Sequence, residues 1–298
     1  MKDKTLRTYL IWAFALAWPL QGLASWLALR GNMTGFTYVL AASMFAPLAA
    51  LLPAKVPLKS LGWRLNLKGN VRRYLAAWLL PSVICALGAA LYFLLFPAHF
   101  DGSGAAYLAS LPAEAQRQFE MQAMPVSFLL LISVVAAVTY APFLNVIPCL
   151  GEEAGWRGFL TPYLKARFGR TKGLLLSGAI WGAWHWPVII FAGYEYGLNY
   201  WGAPVLGPLL FCFITTALGV LFSLLYEKVG SIWICALAHG AFNAFANTPS
   251  LFLVPDSGFQ QTLGPYAVGV IGGLPLLLLA LFVLLKKTPA SAEEAGEL

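Results

Sequence analysis

Long apolar runs recur along the whole chain, and they constrain the fold more than any other feature of the sequence. Hydrophobic residues make up 60% of the 298 residues, and charged residues only 10%. Lipid offers no hydrogen-bond partners to the backbone, so an apolar run of about 20 residues crosses the bilayer as an α-helix. The sequence therefore predicts an all-α, polytopic integral membrane helical bundle that forms a single membrane domain over residues 1–298.

The apolar runs predict about eight transmembrane helices. Their approximate limits are 8–29, 36–54, 74–96, 125–150, 173–193, 202–226, 231–249 and 264–285. The first run follows a basic N-terminus, as in a signal peptide, but it is long enough to span, so we expect it to be retained as a helix. The polar tail at 288–298 is expected to be disordered.

The distribution of basic residues supports this count and predicts the orientation. With the N-terminus in the cytoplasm, 17 of the 19 Lys and Arg residues fall in cytoplasmic segments, and only Arg30 and Arg117 fall outside. Cytoplasmic loops of membrane proteins carry such an excess, which predicts that both termini are cytoplasmic. The net charge of +7 is then explained by orientation and by contact with anionic membrane lipids. No nucleic-acid partner is expected.

Cysteines and loops add three smaller predictions. The four cysteines lie in apolar runs without CxxC spacing, so we expect buried packing residues rather than a disulfide framework. In the longest outer loop, Pro112–Gln122 is expected to form a short helix. Pro148 and Gly151 are expected to break the fourth span, so that a new amphipathic helix begins at 152 and runs to 168 on the cytoplasmic side.

Two adjacent acids are followed by an arginine at the start of that amphipathic helix. Glu153 and Arg157 are four residues apart, share a helix face and are expected to form an ion pair. Glu152 points about 100° away and remains a candidate general base. The alternative is a solvated acidic helix start with an ordinary surface ion pair.

Two histidines lie within predicted spans. His185 follows Trp181 by four residues and precedes Pro187, which is expected to kink the helix around the histidine. His239 and Asn243 are also four apart and share one face of the seventh span. The alternative for each motif is an interhelical hydrogen bond without a catalytic role.

Taken together, the three motifs favour a catalytic role over a purely structural role. An acid in mid-membrane costs about 2.5–3.5 kcal/mol, whereas an interhelical hydrogen bond returns only about 0.6–2 kcal/mol. The predicted topology places all three motifs in the cytoplasmic half of the bundle. Two histidines and a carboxylate are able to hold and deprotonate water, and a histidine with an amide is able to donate to an oxyanion. This set of side chains suits the hydrolysis of an amide bond.

The cofactor remains open at this point. Glu152, His185 and His239 are also the residue types that bind zinc with an open fourth position. The sequence has no HExxH motif, so the familiar zinc-protease helix is absent. Both a zinc-dependent and a metal-free hydrolysis are consistent with these residues.

The three motifs resemble those of the CPBP (Abi) superfamily, which includes the type II CaaX prenyl endopeptidases and bacterial relatives linked to bacteriocin immunity and processing. The resemblance covers about residues 140–250, as a catalytic core, and is carried by GEEAGWRGFLTPYL, WGAWHWP and GSIWICALAHGAFNAF. The superfamily's motif positions fall on Glu152, Glu153, Arg157, Trp181, His185, His239 and Asn243.

The resemblance implies an intramembrane endopeptidase, of glutamate-based or metalloprotease type, whose site is open to the cytoplasm. By analogy, Glu152 with His185 would activate water, and His239 with Asn243 would stabilise the oxyanion. The remaining acid and the arginine of the first motif would orient the first set. The expected substrate is a membrane-associated or lipidated, for example prenylated, peptide, and the expected location is the bacterial cytoplasmic membrane.

Two other functions remain open from the sequence. One is a non-catalytic immunity or scaffold protein of the same fold, which would bind a partner without cleaving it. The other is an ion-coupled transporter that uses the polar motifs as a relay. Transporters often have broken helices at matching places in two halves, but the breaks at Pro142, Pro148 and Gly151 have no counterpart elsewhere in the chain.

Overall fold

The computed structural model describes residues 3–111, 113–121, 124–255 and 258–286. Over these ranges the ordered elements are helices, and the β-structure is limited to an isolated antiparallel bridge between Phe100 and Leu253. The predicted all-α class is therefore confirmed. The predicted disordered tail at 288–298 lies outside the described residues.

The helices are joined by turns and loops, of which residues 50–70 form the longest. In chain order they are α1 (Asp3–Leu29), α2 (Met33–Ser43), α3 (Ala46–Ala49), α4 (Val71–Leu95), α5 (Ala105–Ser110), α6 (Ala113–Met121), α7 (Val126–Val138), α8 (Ala141–Gly155), α9 (Thr161–Phe168), α10 (Arg170–Trp184), α11 (Trp186–Ala192), α12 (Leu206–Val229), α13 (Ile232–Phe245), α14 (Phe259–Leu263) and α15 (Leu274–Leu285). A π-helical turn, Trp156–Leu160, joins α8 to α9. Helix α6 confirms the short helix that was predicted in the outer loop.

The structure supports an integral membrane protein but does not confirm the count of eight spans. In the described part of the chain, four helices are long and apolar enough to cross a membrane, and a bent pair raises the number to five. The predicted spans at 36–54, 231–249 and 264–285 correspond to shorter helices: α2 with α3, the 14-residue α13 and the 12-residue α15. Turns and short 3-10 segments take up the rest of those apolar runs.

The predicted helix break at Pro148 and Gly151 is wrong. The bend of 47° lies earlier, between α7 and Ala141–Phe168. Pro142 occupies the first turn of α8, where a missing N–H leaves no hydrogen bond unmade. Pro148 lies inside α8, which continues through it. The acidic pair is therefore in the interior of a long helix, away from its positive N-terminal end.

Helix α13 packs closely against α8 near the centre of the bundle. Its first turn is capped by Ser231, whose hydroxyl accepts from the Trp233 backbone N–H. A Cβ on Gly240 would lie 2.6 Å from the Pro142 carbonyl oxygen, so only glycine permits this approach. The Asn145 amide also donates to the Gly240 carbonyl at 3.3 Å. This contact brings the second histidine motif to the level of the acids.

Three of the four cysteines are buried, as predicted, and Cys212 is partly exposed. Cys85, Cys149, Cys212 and Cys235 are free thiols, and all but Cys212 are buried. They pack between helices and form no disulfide framework.

Candidate active site

Glu152 is held by two tryptophan indoles. The residue is 1% exposed, and its Oε2 accepts hydrogen bonds from Trp156 Nε1 at 3.2 Å and from Trp181 Nε1 at 2.6 Å. Trp156 follows by one helical turn, whereas Trp181 comes from α10. Because both donors bind one oxygen, they fix the carboxylate and leave Oε1 as the oxygen for a further ligand.

Glu153 joins the first motif to the third. Its Oε1 accepts from Arg157 Nη1 at 3.0 Å and from His239 Nδ1 at 2.9 Å. The ion pair between Glu153 and Arg157 was predicted, but its burial was not: the two side chains are 0% and 2% exposed. By the resemblance this pair would orient Glu152 and His185. The structure instead places Glu153 against His239.

The Arg157 guanidinium is enclosed by aromatic rings. It lies 4.1 Å from the centroid of Trp181 and 5.1 Å from that of Phe222. A buried charge needs a partner of opposite charge or an electron-rich surface, and Arg157 has both. The same Trp181 ring therefore contacts the arginine with its face and Glu152 with its N–H.

His185 lies between two helices, at the place where Pro187 predicted a kink, although Arg170–Ala192 remains one candidate span. It separates α10 from α11, and Pro187 occupies the first turn of α11. The His185 Nδ1 lies 3.0 Å from the Trp181 carbonyl oxygen. A carbonyl only accepts, so Nδ1 carries the proton and Nε2 is left as an acceptor in the neutral ring.

Asn243 lies one turn beyond His239 on α13, and both side chains reach the same space. The Asn243 amide approaches the Cys149 sulfur at 3.8 Å, a long contact to a weak acceptor. The amide therefore retains donor capacity for another ligand.

One cavity of about 160 Å³ connects these groups. Its wall includes Glu152, His185, His239 and Asn243, together with Trp181. Glu153 and Arg157 do not line this cavity and lie behind its wall. The structure thus brings four predicted site residues from α8, the α10–α11 junction and α13 to one space, and the other two predicted residues lie behind them.

Three further residues bear on the cavity and escaped the sequence analysis. Trp156 binds Glu152 from behind the wall, while Glu195 and Asn247 line the cavity, joined by a hydrogen bond of 2.9 Å. The sequence carries a signal for two of them: Trp156 follows Glu152 by four residues, and Asn247 follows Asn243 by four. Glu195 lies in a loop, where spacing gives no such signal.

The donor set does not fit a metal centre formed by Glu152, His185 and His239. Within the described ranges, no three His, Cys, Asp or Glu side chains are arranged to hold a metal ion. We derive no step through a metal ion.

The motif order and this geometry agree with a comparison against known families. A family model described as "Type II CAAX prenyl endopeptidase Rce1-like" matches residues 122–245, a range that contains all six candidate site residues. This region is therefore similar to the Rce1-like family. Similarity to a curated protein of Methanococcus maripaludis, "CAAX prenyl protease 2", points the same way: 35% identity over 68 residues, which is 20% of this chain.

The similarity to that relative is local, since the aligned segment spans 25% of its length. The similarity of residues 122–245 to the Rce1-like family supports a peptidase of the CAAX type in a membrane. It does not favour the non-catalytic or the transporter alternative.

Proposed function

We propose that this protein is an intramembrane endopeptidase that hydrolyses a peptide bond in a membrane-associated or lipidated peptide. The observation that carries the proposal is the shared cavity: an acid, two imidazoles and an amide from α8, the α10–α11 junction and α13 line one space of about 160 Å³. Placing such polar groups in an apolar bundle costs free energy, and a catalytic role explains why they lie together there.

Glu152 and His185 are proposed to activate water. Glu152 Oε1 and His185 Nε2 are both acceptors, so a water between them would be oriented and would lose a proton as it attacks the peptide carbonyl. The proton would pass to Glu152 and then to the leaving amine nitrogen. The indoles of Trp156 and Trp181 would keep the carboxylate in place during this transfer.

His239 and Asn243 are proposed to stabilise the oxyanion of the tetrahedral intermediate. The Glu153 carboxylate accepts from His239 Nδ1, which stabilises an imidazolium whose Nε2–H would donate to the oxyanion. The Asn243 amide would supply a second donor. Removing one such donor in other hydrolases lowers kcat by about 10²–10³, so this pair accounts for a large part of the expected rate.

An apolar cavity beside the site supports a lipidated substrate. It has a volume of about 70 Å³ and is lined by side chains of α4, α12, α13 and α15. Leu218 and Phe242 line both cavities, so they form the partition between the polar and the apolar space. A peptide with an attached hydrocarbon chain would place its polar and apolar parts in these two spaces.

The proposed topology retains the prediction from the basic residues. Eight membrane crossings, with both termini in the cytoplasm of a bacterial cell, would follow if the shorter apolar helices α2 with α3, α13 and α15 complete crossings together with their flanking turns. The side of the membrane from which substrate reaches the cavity is a separate matter.

The test is cleavage of defined peptides by the purified protein in lipid vesicles. A farnesylated CaaX-type peptide and the same peptide without the farnesyl group are incubated with the enzyme, and products are identified by mass spectrometry. We expect an internal peptide bond to be cut, faster in the farnesylated peptide. An absence of cleavage in a wide set of lipidated peptides would reject the proposal. Equal rates would reject the lipid preference alone.

A further inference from the structure

The exposure of the cavity wall changes from one end to the other. Glu152 and Trp181 are 1% and 2% exposed, whereas Asn243 and Asn247 are exposed. Leu40, from α2, is half-buried and also lines this cavity. The cavity is therefore closed at the level of Glu152 and open at the level of Asn247.

The open end lies at the C-terminal end of α13. Asn247 follows this helix, and its side-chain amide donates to Glu195 in the connection between α11 and α12. The same connection is tied to the segment before α15, where the Tyr196 hydroxyl donates to the Val268 carbonyl at 3.0 Å. The mouth of the cavity is thus framed by the loops at this end of the bundle.

The opposite end of α13 is where the basic residues collect. The Ile232 N–H donates to the Gly62 carbonyl at 3.0 Å, so the loop between α3 and α4 covers the start of α13. That loop is rich in basic residues: Lys55, Lys59, Arg64 and Lys68.

Ion pairs place further basic residues at that same end. Lys165 pairs with Glu227 near the end of α12, and Arg167 pairs with Asp3 at the start of α1 at 3.0 Å. Helix α1 is 27 residues long, so its far end, followed by Arg30, lies about 40 Å away. Arg30 therefore belongs to the end that carries the mouth.

The mouth thus lies at the end of the bundle that is poor in Lys and Arg. Basic residues collect on the cytoplasmic side of membrane proteins. We infer that the cavity holding Glu152 and His239 opens toward the non-cytoplasmic face of the membrane, through a mouth formed by Leu40, Glu195 and Asn247.

This inference rests on the proposed function for its biological meaning and differs from the sequence expectation of a site open to the cytoplasm. The substrate class becomes a peptide or lipopeptide presented at the outer leaflet. Its chemistry is constrained as well: the described lining of the cavity includes Glu195 but neither Lys nor Arg. An anionic peptide segment at the mouth would lie beside the Glu195 carboxylate, with no Lys or Arg of the described lining to pair with.

The test measures access to single cysteines in intact bacterial cells. The three buried native cysteines are shielded, and Cys212 is changed to Ala in every variant. Asn247→Cys probes the mouth, and Leu40→Cys is a second probe in case loss of the hydrogen bond to Glu195 impairs folding. Exposed controls are Arg30→Cys for the mouth end and Lys172→Cys for the basic end. The reagent is a membrane-impermeant sulfonated maleimide, applied before and after permeabilisation.

We expect the two mouth probes and Arg30→Cys to be labelled in intact cells, and Lys172→Cys only after permeabilisation. Labelling of Lys172→Cys in intact cells, with the mouth probes protected, would overturn the orientation. Labelling of Arg30→Cys without either mouth probe would overturn the position of the mouth. The readout needs no enzymatic activity, so it separates this inference from the proposed function.

Discussion

Glu153 Oε1 lies 2.9 Å from His239 Nδ1, although the two residues are 86 positions apart in the chain. The same oxygen accepts from Arg157, so one buried carboxylate orients an imidazole and neutralises a guanidinium. The bond to His239 forms because Gly240 lets α13 approach α8 closely, whereas the bond to Arg157 lies within one helical turn. The contact is the link between packing and the proposed oxyanion site.

Loss of the Glu153 charge is expected to affect stability and activity separately. Glu153→Gln leaves the Arg157 charge buried without its partner, which destabilises by about 3–5 kcal/mol. Combining Glu153→Gln with Arg157→Met removes both charges and is expected to recover much of the thermal stability in detergent. Cleavage is expected to stay low, because His239 still lacks its carboxylate. Recovery of the cleavage rate together with stability would assign Glu153 a purely structural role.

The indole bonds to Glu152 give a second prediction. Trp156→Phe and Trp181→Phe each remove one N–H donor while they keep an aromatic ring. A hydrogen bond to a charged group is worth about 1.5–3 kcal/mol, so each variant is expected to lower kcat about 10-fold or more with little change in KM. The Trp181 variant should have the larger effect, since its bond is the shorter, at 2.6 Å against 3.2 Å. Unchanged kcat in both variants would show that the indoles do not position Glu152.

Close helix packing is tested by a pair of glycines. In Gly240→Ala the new Cβ would lie 2.6 Å from the Pro142 carbonyl oxygen, whereas in Gly219→Ala the nearest atom is 3.6 Å away. Overpacking costs about 1–3 kcal/mol, so we expect a lower Tm for Gly240→Ala only. Equal Tm values for the two variants would contradict the close approach of α8 and α13.

The charge at the mouth of the cavity predicts a peptide preference that depends on pH. Burial raises the pKa of the Glu195 carboxyl, while hydrogen bonds from Asn247 and Tyr194 lower it. Above that pKa the ionised Glu195 should favour peptides with Lys over Glu near the scissile bond, and the preference should fade as the pH falls through the pKa. Relative kcat/KM for matched Lys, Gln and Glu peptides measures this preference.

Glu195→Gln is expected to abolish that preference at all pH values. The control is Glu114→Gln, which changes an exposed carboxylate paired with Arg117 on α6. A preference for Lys that persists in Glu195→Gln would show that another group sets it.

Much of this site was predictable because helical spacing is a local property. The four-residue intervals put Glu153 with Arg157 and His239 with Asn243, and the structure has both pairs on shared faces. The helix interruption at His185 lies where Pro187 predicted a kink. These predictions needed only the geometry of one helix.

The predictions that were wrong, and those that could not be made from the sequence, depended on contacts between helices. Pro148 was expected to end a helix, but α8 continues through it. The partner of His239 was not predictable, since Glu153 reaches it only through the packing of α13 on α8. The mouth residue Glu195 comes from a loop, whose position follows from the whole bundle. The apolar runs also overestimated the lengths of several helices, because turns occupy part of these runs.

The central claim is that Glu152 and His239 act as one unit on a peptide in their shared cavity. The most direct measurement is the single-turnover cleavage rate of Glu152→Gln, His239→Ala and the double variant in vesicles. A general base contributes about 10²–10⁴ to the rate, and residues that act together are not additive. We predict that each single variant loses at least about 100-fold and that the double variant is little worse. Cleavage at the wild-type rate in Glu152→Gln would contradict the account.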